Sequence, residues 1–408
     1  MPTSELEARD ALGETGNGRS GLPSPPIHAV WYGGRGGSGG LIRYLKGVLA
    51  IPAESSGVRI TLVCSPALAS ELGELNAAVR VITVPSLEKA ISAQLWEQMY
   101  LGRFMRRLRP DVLFCASGSP RSLPAGVPVV AACHNILYFD QREYRKYRYS
   151  RLWWRFMRRL NRKLRALYPK TAGVIFTSPY SQELAIRQLP GIRRHTVIAN
   201  GVEAAFLADS PVPTIDRAPR NILYVSTVYL YKYQGNVVKA VKQLRESTGE
   251  DYQLWLAGNA DEDPLGRREL LQVVEQEGAD AFTHLLGNIS HDALPALLRK
   301  ADLFVFASSC EAFGITLLEA MASGLPVACS NRSGLPDLLR DAGEYFNPEN
   351  CTEIASAIAR LCGDSAIRRE YAERARRYAR EYTWLGCAEE TFAFLQDIAV
   401  AAQDHRHA

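Results

Sequence analysis

Two glutamates, Glu311 and Glu319, stand on either side of a glycine in a run that joins an apolar strand to a short helix. Gly314 lets the N–H groups of Ile315 and Thr316 face a phosphate, because the start of a helix presents free donors and a positive dipole end. A carboxylate on each side can accept hydrogen bonds from hydroxyl groups of the same ligand. The spacing therefore predicts a site for an anion that carries polyols on both sides, as a nucleotide sugar does.

A simpler interpretation of the two glutamates stays open: Glu311 caps the helix, and Glu319 is a solvated helix residue. Lys232 is a further candidate, because it follows the first strand of the second half of the chain, predicted over 222–226, and precedes a helix predicted from about Asn236. An ammonium group there could neutralise a diphosphate. The alternative is an ordinary solvated lysine.

A glycine-rich turn follows the first predicted strand, 27–32, and leads into a helix predicted from Leu41. Glycines such as Gly39 and Gly40 allow the backbone to approach a phosphate closely. The turn lacks the Gly-Lys-Ser/Thr ending of a Walker loop and the spacing of the dinucleotide fingerprint. It indicates either a phosphate-binding turn or a flexible loop.

His134 directly follows the strand predicted over 129–133. At the carboxyl end of a strand its imidazole would point into a cleft, where it could bond a sugar hydroxyl or a developing charge. The alternative is a histidine whose ring nitrogens are satisfied by nearby backbone. The remaining histidines have no metal-ligand spacing, so no metal site is predicted.

Apolar strand-like runs alternate with helical stretches along the chain, which is typical of parallel sheets with crossover helices. The pattern predicts an α/β protein with two Rossmann-like, doubly wound domains that face one another across a cleft. The predicted divisions are a disordered extension over 1–26, a first domain over 27–208, a Pro-rich linker over 209–220, a second domain over 221–380 and a C-terminal helix over 381–408.

The composition is that of a globular protein, with 47% hydrophobic and 22% charged residues. No apolar stretch reaches the roughly 20 residues that span a bilayer, and the first 26 residues lack the apolar core of a signal peptide. Eight cysteines are scattered without a Cys-x-x-Cys pair. This usage favours neither zinc nor disulfides and predicts a reducing cytoplasm.

The basicity of the chain is local. Residues 141–170 hold nine arginines and three lysines against one glutamate, a net charge of +11 that leaves −6 for the rest of the chain, given the total of +5. On a helical wheel the apolar residues share one face and the arginines nearly the opposite one. Such a helix suits an anionic membrane surface. The predicted membrane contacts are Arg148, Arg151, Trp153, Trp154, Arg155, Arg158 and Arg162.

Two alternatives to membrane contact stay open for this segment. The apolar face could be the core-facing side of an ordinary domain helix, with the arginines in solvent. The arginines could instead bind RNA or DNA, but no nucleic-acid-binding motif accompanies them, so nucleic acid is not the predicted partner.

Taken together, these residues resemble the family-4 retaining glycosyltransferases, which have the GT-B fold, and the similarity spans residues 28–395. Its most specific part is the run from Glu311 to Glu319, which matches the E-x7-E motif of the family. The supporting matches are Gly39-Gly40 before Arg43, the runs 198–202 and 382–384, and Lys232.

The resemblance implies roles for these residues. Glu311 would contact the donor sugar near the reaction centre, and His134 would line the sugar pocket. Glu319 would hold the ribose hydroxyls, while Lys232 and the Gly39-Gly40 turn would bind the diphosphate. It also implies that the first domain takes the acceptor, that the second takes the donor, and that the C-terminal helix crosses back to the first.

The implied reaction moves a sugar from a UDP- or GDP-linked donor to a glycan or lipid-linked acceptor, with retention of the anomeric configuration and without a metal or other cofactor. The implied setting is bacterial surface polysaccharide or glycolipid synthesis, in the cytoplasm at the inner face of the cell membrane. GDP-mannose is one candidate donor.

One position departs from the family pattern. An arginine usually precedes the lysine by five residues, whereas this chain has Thr227. Arg35, Arg121 or another arginine of the cleft would have to compensate. The threonine leaves open a donor-binding partner subunit without catalysis. Two alternatives of the same fold also stay open: a nucleotide-sugar epimerase and an enzyme that extends a soluble glucan.

Overall fold

The structure is a computed structural model that describes residues 26–36, 39–53, 56–118, 122–146, 151–207 and 218–407. The predicted extension up to residue 25 and Arg121 lie outside the described residues. Residues 209–217 of the predicted linker also lie outside them.

The first sheet has seven strands in the order β3-β2-β1-β4-β5-β6-β7, and every described pair is parallel. Its strands are β1 (Ile27–Gly34), β2 (Val58–Cys64), β3 (Arg80–Thr83), β4 (Val112–Cys115), β5 (Val129–Cys133), β6 (Gly173–Phe176) and β7 (His195–Val197). The central strands are buried along their whole length, because helices cover both faces of a parallel sheet.

The second sheet has six parallel strands in the order β10-β9-β8-β11-β12-β13. They are β8 (Asn221–Val225), β9 (Gln253–Ala257), β10 (Thr283–Gly287), β11 (Leu303–Phe306), β12 (Val327–Ser330) and β13 (Glu344–Phe346). The predicted α/β class with two doubly wound sheets is confirmed. Strand β13 has only three residues, too few to show a periodic pattern, and was not predicted.

Helices connect the strands, and none of those described is long and apolar enough to cross a membrane. They are α1 (Gly39–Leu49), α2 (Pro66–Leu72), α3 (Ala90–Met99), α4 (Leu101–Leu108), α5 (Gln141–Arg145), α6 (Arg151–Leu167), α7 (Pro179–Gln188), α8 (Gln234–Thr248), α9 (Pro264–Glu277), α10 (Leu294–Leu298), α11 (Ile315–Ala322), α12 (Leu335–Leu339), α13 (Cys351–Gly363), α14 (Ser365–Ala379) and α15 (Trp384–His407). Helices α1 and α8 each begin two residues before the predicted start.

The last helix, α15, packs on the first sheet. Its buried residues Trp384, Phe392 and Ile398 belong to the same apolar cluster as Trp31 of β1. Gly47 of α1 allows this contact, because a Cβ there would lie 2.1 Å from the Trp384 ring. We call residues 27–207 together with α15 the first lobe, and residues 221–379 the second lobe.

The two lobes touch along the carboxyl ends of their strands. Cys310 and Ala312, from the loop after β11, lie in an apolar cluster that otherwise comes mainly from the first lobe. The Ser178 hydroxyl donates to the Ala312 carbonyl, and the Tyr180 N–H donates to Asp337 at 3.2 Å. The order of each sheet reverses where β1 meets β4 and where β8 meets β11. Loops at such switch points border the ligand crevice of open α/β sheets.

Candidate functional site

The loop after β11 places the start of α11 at the junction of the lobes. Gly314, immediately before the helix, has φ of +95°, and a Cβ there would lie 2.8 Å from Leu335 Cδ2. Both the conformation and the space therefore require glycine. No side chain caps the helix. The N–H groups of Ile315 and Thr316 consequently stand at a helix start, where an anionic group can bind them.

Lys232 and Glu311 form an ion pair between the loops that follow β8 and β11. The Lys232 residue is only 8% exposed, and its Nζ contacts Glu311 Oε1 directly. Lys232 lies in a 3-10 turn over Leu230–Lys232, and its carbonyl accepts a hydrogen bond from the Tyr224 hydroxyl at 2.6 Å. This fixed, water-poor position differs from that of a solvated surface lysine. The ammonium group of Lys232 is thus held beside the Glu311 carboxylate, where it could also bind an incoming phosphate.

Glu319 is 2% exposed, so the interpretation that it is a solvated helix residue is wrong. Its Oε1 accepts from Arg43 Nη1 at 2.9 Å and lies 3.0 Å from His291 Nε2. Its Oε2 is buried and has no hydrogen-bond partner among the described residues. A buried carboxylate oxygen without a partner costs about 1–3 kcal/mol or more, which a ligand hydroxyl would recover. Capping of α11 by Glu311 is also wrong, because no side chain caps that helix.

Arg43 links the two lobes through this carboxylate. It lies in α1, one turn after Gly39, whose added Cβ would come within 3.9 Å of Arg43 Nη2. A Cβ on Gly40 would meet no described atom within 4 Å. Packing therefore does not account for the glycine pair. The lack of side chains instead leaves room over the start of α1, next to a guanidinium group that faces the second lobe.

His134 lies at the carboxyl end of β5, as predicted, with its ring 4.6 Å from the ring of Tyr44. Burial lowers the pKa of His134 to about 4, so the imidazole is neutral near pH 7. Its Nε2 is buried, and the described residues provide no partner for it. Nearby backbone therefore does not satisfy this nitrogen. At the edge of a cleft, a nitrogen of the neutral imidazole can donate a hydrogen bond to a sugar hydroxyl or accept one from it, depending on the tautomer.

Thr227 lies in the loop after β8, and a side chain at the start of α8 anchors this loop. Its carbonyl accepts from Gln234 Nε2 at 3.2 Å, and Gln234 is buried at the start of α8. Lys232 and Arg43 are each paired with a glutamate of the loop and helix after β11, whereas Arg35 is exposed on its loop.

A cavity of about 200 Å³ opens beside this loop, at the carboxyl ends of β8, β9 and β10. It is lined largely by apolar groups, among them Val228, Leu256 and Leu285, together with Gly258 and Gly287. Gly258 has φ of +146°, and a Cβ there would lie 2.0 Å from the Ser226 carbonyl oxygen. The wall of the cavity is therefore formed where the backbone at Gly258 packs directly against the backbone at Ser226. Its apolar lining can take a flat group with apolar faces, such as a nucleobase.

Helix α6 carries the basic segment. Leu164 is buried and Leu160 is packed against the core of the first lobe, while Arg155, Arg158 and Arg162 are exposed. Over this half, the apolar face is the core-facing side of a domain helix. Half-buried Trp154 stacks on Tyr144, with ring centroids 4.9 Å apart. Arg148 and the side chains of Arg151 and Trp153 lie outside the described residues.

Sequence reasoning did not assign roles to two residues of this site, Arg43 and His291. Arg43 could have been found from its spacing, because a residue four positions after a helix-starting glycine lies on the same face. His291 gave no signal in the sequence. It lies in a 3-10 turn between β10 and β11, and its contact with Glu319 depends on the tertiary fold. Within the described residues, no group of three His, Cys, Asp or Glu side chains could hold a metal ion.

Comparisons with known proteins agree with this architecture. Residues 208–382 match the family model described as glycosyl transferases group 1, and residues 40–206 match the model described as glycosyltransferase family 4. The boundary between the two matches falls between the two lobes.

Among curated proteins, the chain is 32% identical over 170 residues to the O-antigen chain mannosyltransferase B of Escherichia coli, covering 41% of this chain and 44% of that protein. It is 30% identical over 208 residues to a glycogen synthase of Mycobacterium tuberculosis, covering 50% and 48%. The matches thus span about half the length of these relatives.

Among solved structures, Anabaena Alr3699/HepE in complex with UDP-glucose superposes with a TM-score of 0.68 at 19% identity, covering 93% of this chain and 100% of that one. At this identity the likeness shows the fold alone. The two family models together account for most of the chain, and the two facing sheets have the GT-B arrangement. The chain belongs to the family-4 glycosyltransferases of the GT-B fold.

Proposed function

We propose that this glycosyltransferase moves a sugar from a nucleoside-diphosphate donor to a hydroxyl group of a glycan acceptor, with retention of configuration. One observation carries the proposal: buried Glu319 joins α11 to Arg43, which follows the Gly39-Gly40 turn of the other lobe, and its Oε2 has no hydrogen-bond partner in the part of the chain that the structure describes. An anion with hydroxyls on both sides matches this combination of helix starts, cations and acids.

Each part of the donor has a matching group. The diphosphate would bind the N–H groups of Ile315 and Thr316 together with Lys232, and Glu319 Oε2 would accept from a ribose hydroxyl. The nucleobase would occupy the cavity at the ends of β8–β10. Glu311, which contacts Lys232, would face the transferred sugar.

The chemistry needs negative charge to be stabilised as the diphosphate leaves. Donors that are fixed before reaction are worth most in a site with little water. Lys232 and the start of α11 are such donors, so we propose that no metal or other cofactor is required. Neutral His134 would donate or accept one hydrogen bond at the sugar, while the acceptor hydroxyl is aligned on the same face as the leaving group.

The acceptor and the setting are inferred from the relatives. The name of the E. coli protein points to a surface polysaccharide, and we propose a lipid-linked glycan as the acceptor and a mannosyl donor linked to GDP as one candidate. A UDP-linked donor is the other, in line with the UDP-glucose bound by the Anabaena protein. We propose a cytoplasmic protein that attaches peripherally to the inner face of the membrane, helped by the exposed arginines of α6.

A second candidate is a donor-binding subunit without catalysis, which the missing cation at Thr227 favours. Turnover separates the two. The protein is incubated with UDP-, GDP- and ADP-sugars, with and without lipid acceptor and EDTA, and released nucleoside diphosphate is quantified. We expect acceptor-dependent release from one donor that EDTA does not reduce.

The variant Glu311→Ala should lose transfer while it still binds the donor. Donor binding is followed by the rise in melting temperature, which a ligand held only by the folded state produces. As a matched control, Glu203→Ala removes an acid at the edge of the same site, 3.5 Å from His291, without touching the reacting groups. Full activity of the Glu311→Ala protein would refute the assignment.

A further inference from the structure

The first lobe carries an exposed patch that none of the groups discussed above uses. It consists of one face of α3 and the following turn of α4, and we call it the α3–α4 face. Four of its apolar residues have large exposed fractions: Ile91 76%, Leu95 51%, Met99 57% and Tyr100 47%. Ile91, Leu95 and Met99 are spaced four apart, so they share one side of the helix. A contiguous apolar patch of this kind marks an interaction site.

The opposite side of α3 already accounts for its packing on the lobe. Ala93 is buried, and the Trp96 ring stacks on Tyr32 with centroids 6.5 Å apart. Glu97, on the same inner side, accepts a hydrogen bond from the Tyr32 hydroxyl at 2.9 Å. The outer apolar side chains therefore do not serve the core of this lobe, and their burial requires a partner from outside.

The charges around the patch indicate the partner. Exposed Lys89 precedes α3, and exposed Arg103, Arg106 and Arg107 lie on α4. In the part of the chain that the structure describes, none of these four cations forms an ion pair. The acid of α3, Glu97, points inward to Tyr32. An apolar stripe bordered by cations is complementary to an anionic bilayer, where apolar groups enter the acyl boundary and cations remain at the headgroups.

The position of the patch connects it to the cleft. Tyr32, which holds α3, is near the carboxyl end of β1, and α3 itself follows the carboxyl end of β3. The Ser122 hydroxyl, in the loop after β4, donates to the Glu97 carbonyl at 3.2 Å. The α3–α4 face consequently lies near the carboxyl ends of the strands, at the same end of the first sheet as the Gly39-Gly40 turn.

We infer that the α3–α4 face binds an anionic lipid bilayer and holds the mouth of the cleft against it. Apolar insertion then comes from α3, whereas Leu160 and Leu164 of α6 pack in the core and the exposed arginines of α6 offer charge only. That this contact serves delivery of a lipid-linked acceptor rests on the proposed function, but the contact itself does not.

The test is sedimentation of the full chain with vesicles of phosphatidylcholine and phosphatidylglycerol, or of phosphatidylcholine alone, across a series of NaCl concentrations. The variant I91Q/L95Q/M99Q keeps good helix formers at exposed positions. Its control is L385Q/V400Q, which changes exposed apolar residues of α15. The variant R103Q/R106Q/R107Q is matched by R155Q/R158Q/R162Q, which removes equal charge from α6. Circular dichroism checks the fold of each.

We expect the apolar triple variant to lose roughly tenfold or more of its vesicle partitioning, while L385Q/V400Q partitions like the wild type. Removal of the α4 arginines should weaken binding at low salt by on the order of fivefold per cation. The inference is overturned if the apolar triple variant binds like the wild type, if the wild type binds neutral vesicles equally well, or if only the α6 variant loses binding.

Vesicle binding is measured without a donor, so its outcome is independent of catalysis. A protein that binds vesicles but transfers no sugar would contradict the proposed function alone. A protein that transfers sugar to a soluble acceptor but does not bind anionic vesicles would contradict the membrane contact alone. Transfer by the apolar triple variant to a soluble acceptor should stay within about twofold of the wild type, because the altered side chains point away from the lobe.

Discussion

The ion pair between Lys232 and Glu311 should affect stability and catalysis by different amounts, and substitution can separate the two effects. Lys232→Met keeps the length of the side chain and removes its charge. Loss of one partner from a fully buried pair costs about 3–5 kcal/mol. The side chains of Lys232 and Glu311 are 10% and 17% exposed, so water offsets part of that cost. We expect the free energy of unfolding to fall by about 2–3 kcal/mol.

The catalytic effect has another origin. If Lys232 neutralises the departing diphosphate, its removal resembles the loss of a fixed oxyanion donor, which costs about 10²–10³-fold in kcat. The double variant K232M/E311Q removes both charges and leaves neither unpaired. It should recover most of the unfolding free energy but none of the rate.

The measurements are urea unfolding and the initial rate of nucleoside diphosphate release, each made on the wild type, both single variants and the double variant. The reasoning is refuted if Lys232→Met keeps a near-normal kcat. It is also refuted if the double variant regains activity together with stability, because the pair would then be a structural contact only.

Three further predictions concern neighbouring groups. Glu319→Gln should weaken donor binding by about 10–100-fold in calorimetric titration, because one charged acceptor for hydroxyls is lost, whereas unchanged affinity would exclude ribose contact. Gly314→Ala should destabilise the protein by about 1–3 kcal/mol in urea unfolding, given the left-handed backbone and the tight contact; Gly363→Ala, with open space around it, is the control. Burial lowers the pKa of His134 to about 4, below its usual value of 6.5, so on acidification the unfolded chain binds a proton before the folded chain does. The free energy of unfolding should therefore fall by up to about 3 kcal/mol as the pH drops from about 6.5 to 4. His134→Phe should flatten that slope in a pH series of melts, and an unchanged slope would contradict the account.

Much of the fold could be predicted from sequence, because buried parallel strands are continuous apolar runs and their helices have clear periodicity. The strands predicted over 27–32, 129–133 and 222–226 agree with β1, β5 and β8 to within two residues. The starts of α1 and α8 were placed too late, since glycine and Gln234 are weak signals of a helix start. The return of α15 to the first sheet has no local signature, because it depends on contacts such as that between Trp384 and Gly47.

The candidate site was predictable where its residues are close in sequence. Glu311, Gly314 and Glu319 all belong to one loop and helix, so their arrangement follows from local structure. The link between Arg43 and Glu319, 276 residues apart, could not be inferred, because it depends on how the lobes meet. The α3–α4 face was missed for a related reason. A helix with apolar residues on two sides reads as an ordinary core helix until the structure shows which side is covered.

The central claim is that a nucleoside-diphosphate sugar binds between the lobes at the start of α11. Its most direct test is a crystal structure of the protein with the nucleoside diphosphate that raises the melting temperature most. The account predicts the phosphates within hydrogen-bonding distance of the N–H groups of Ile315 and Thr316 and of Lys232 Nζ, with a ribose hydroxyl on Glu319 Oε2. A nucleotide bound outside the cleft, or one that leaves Glu319 contacting only Arg43 and His291, would contradict it.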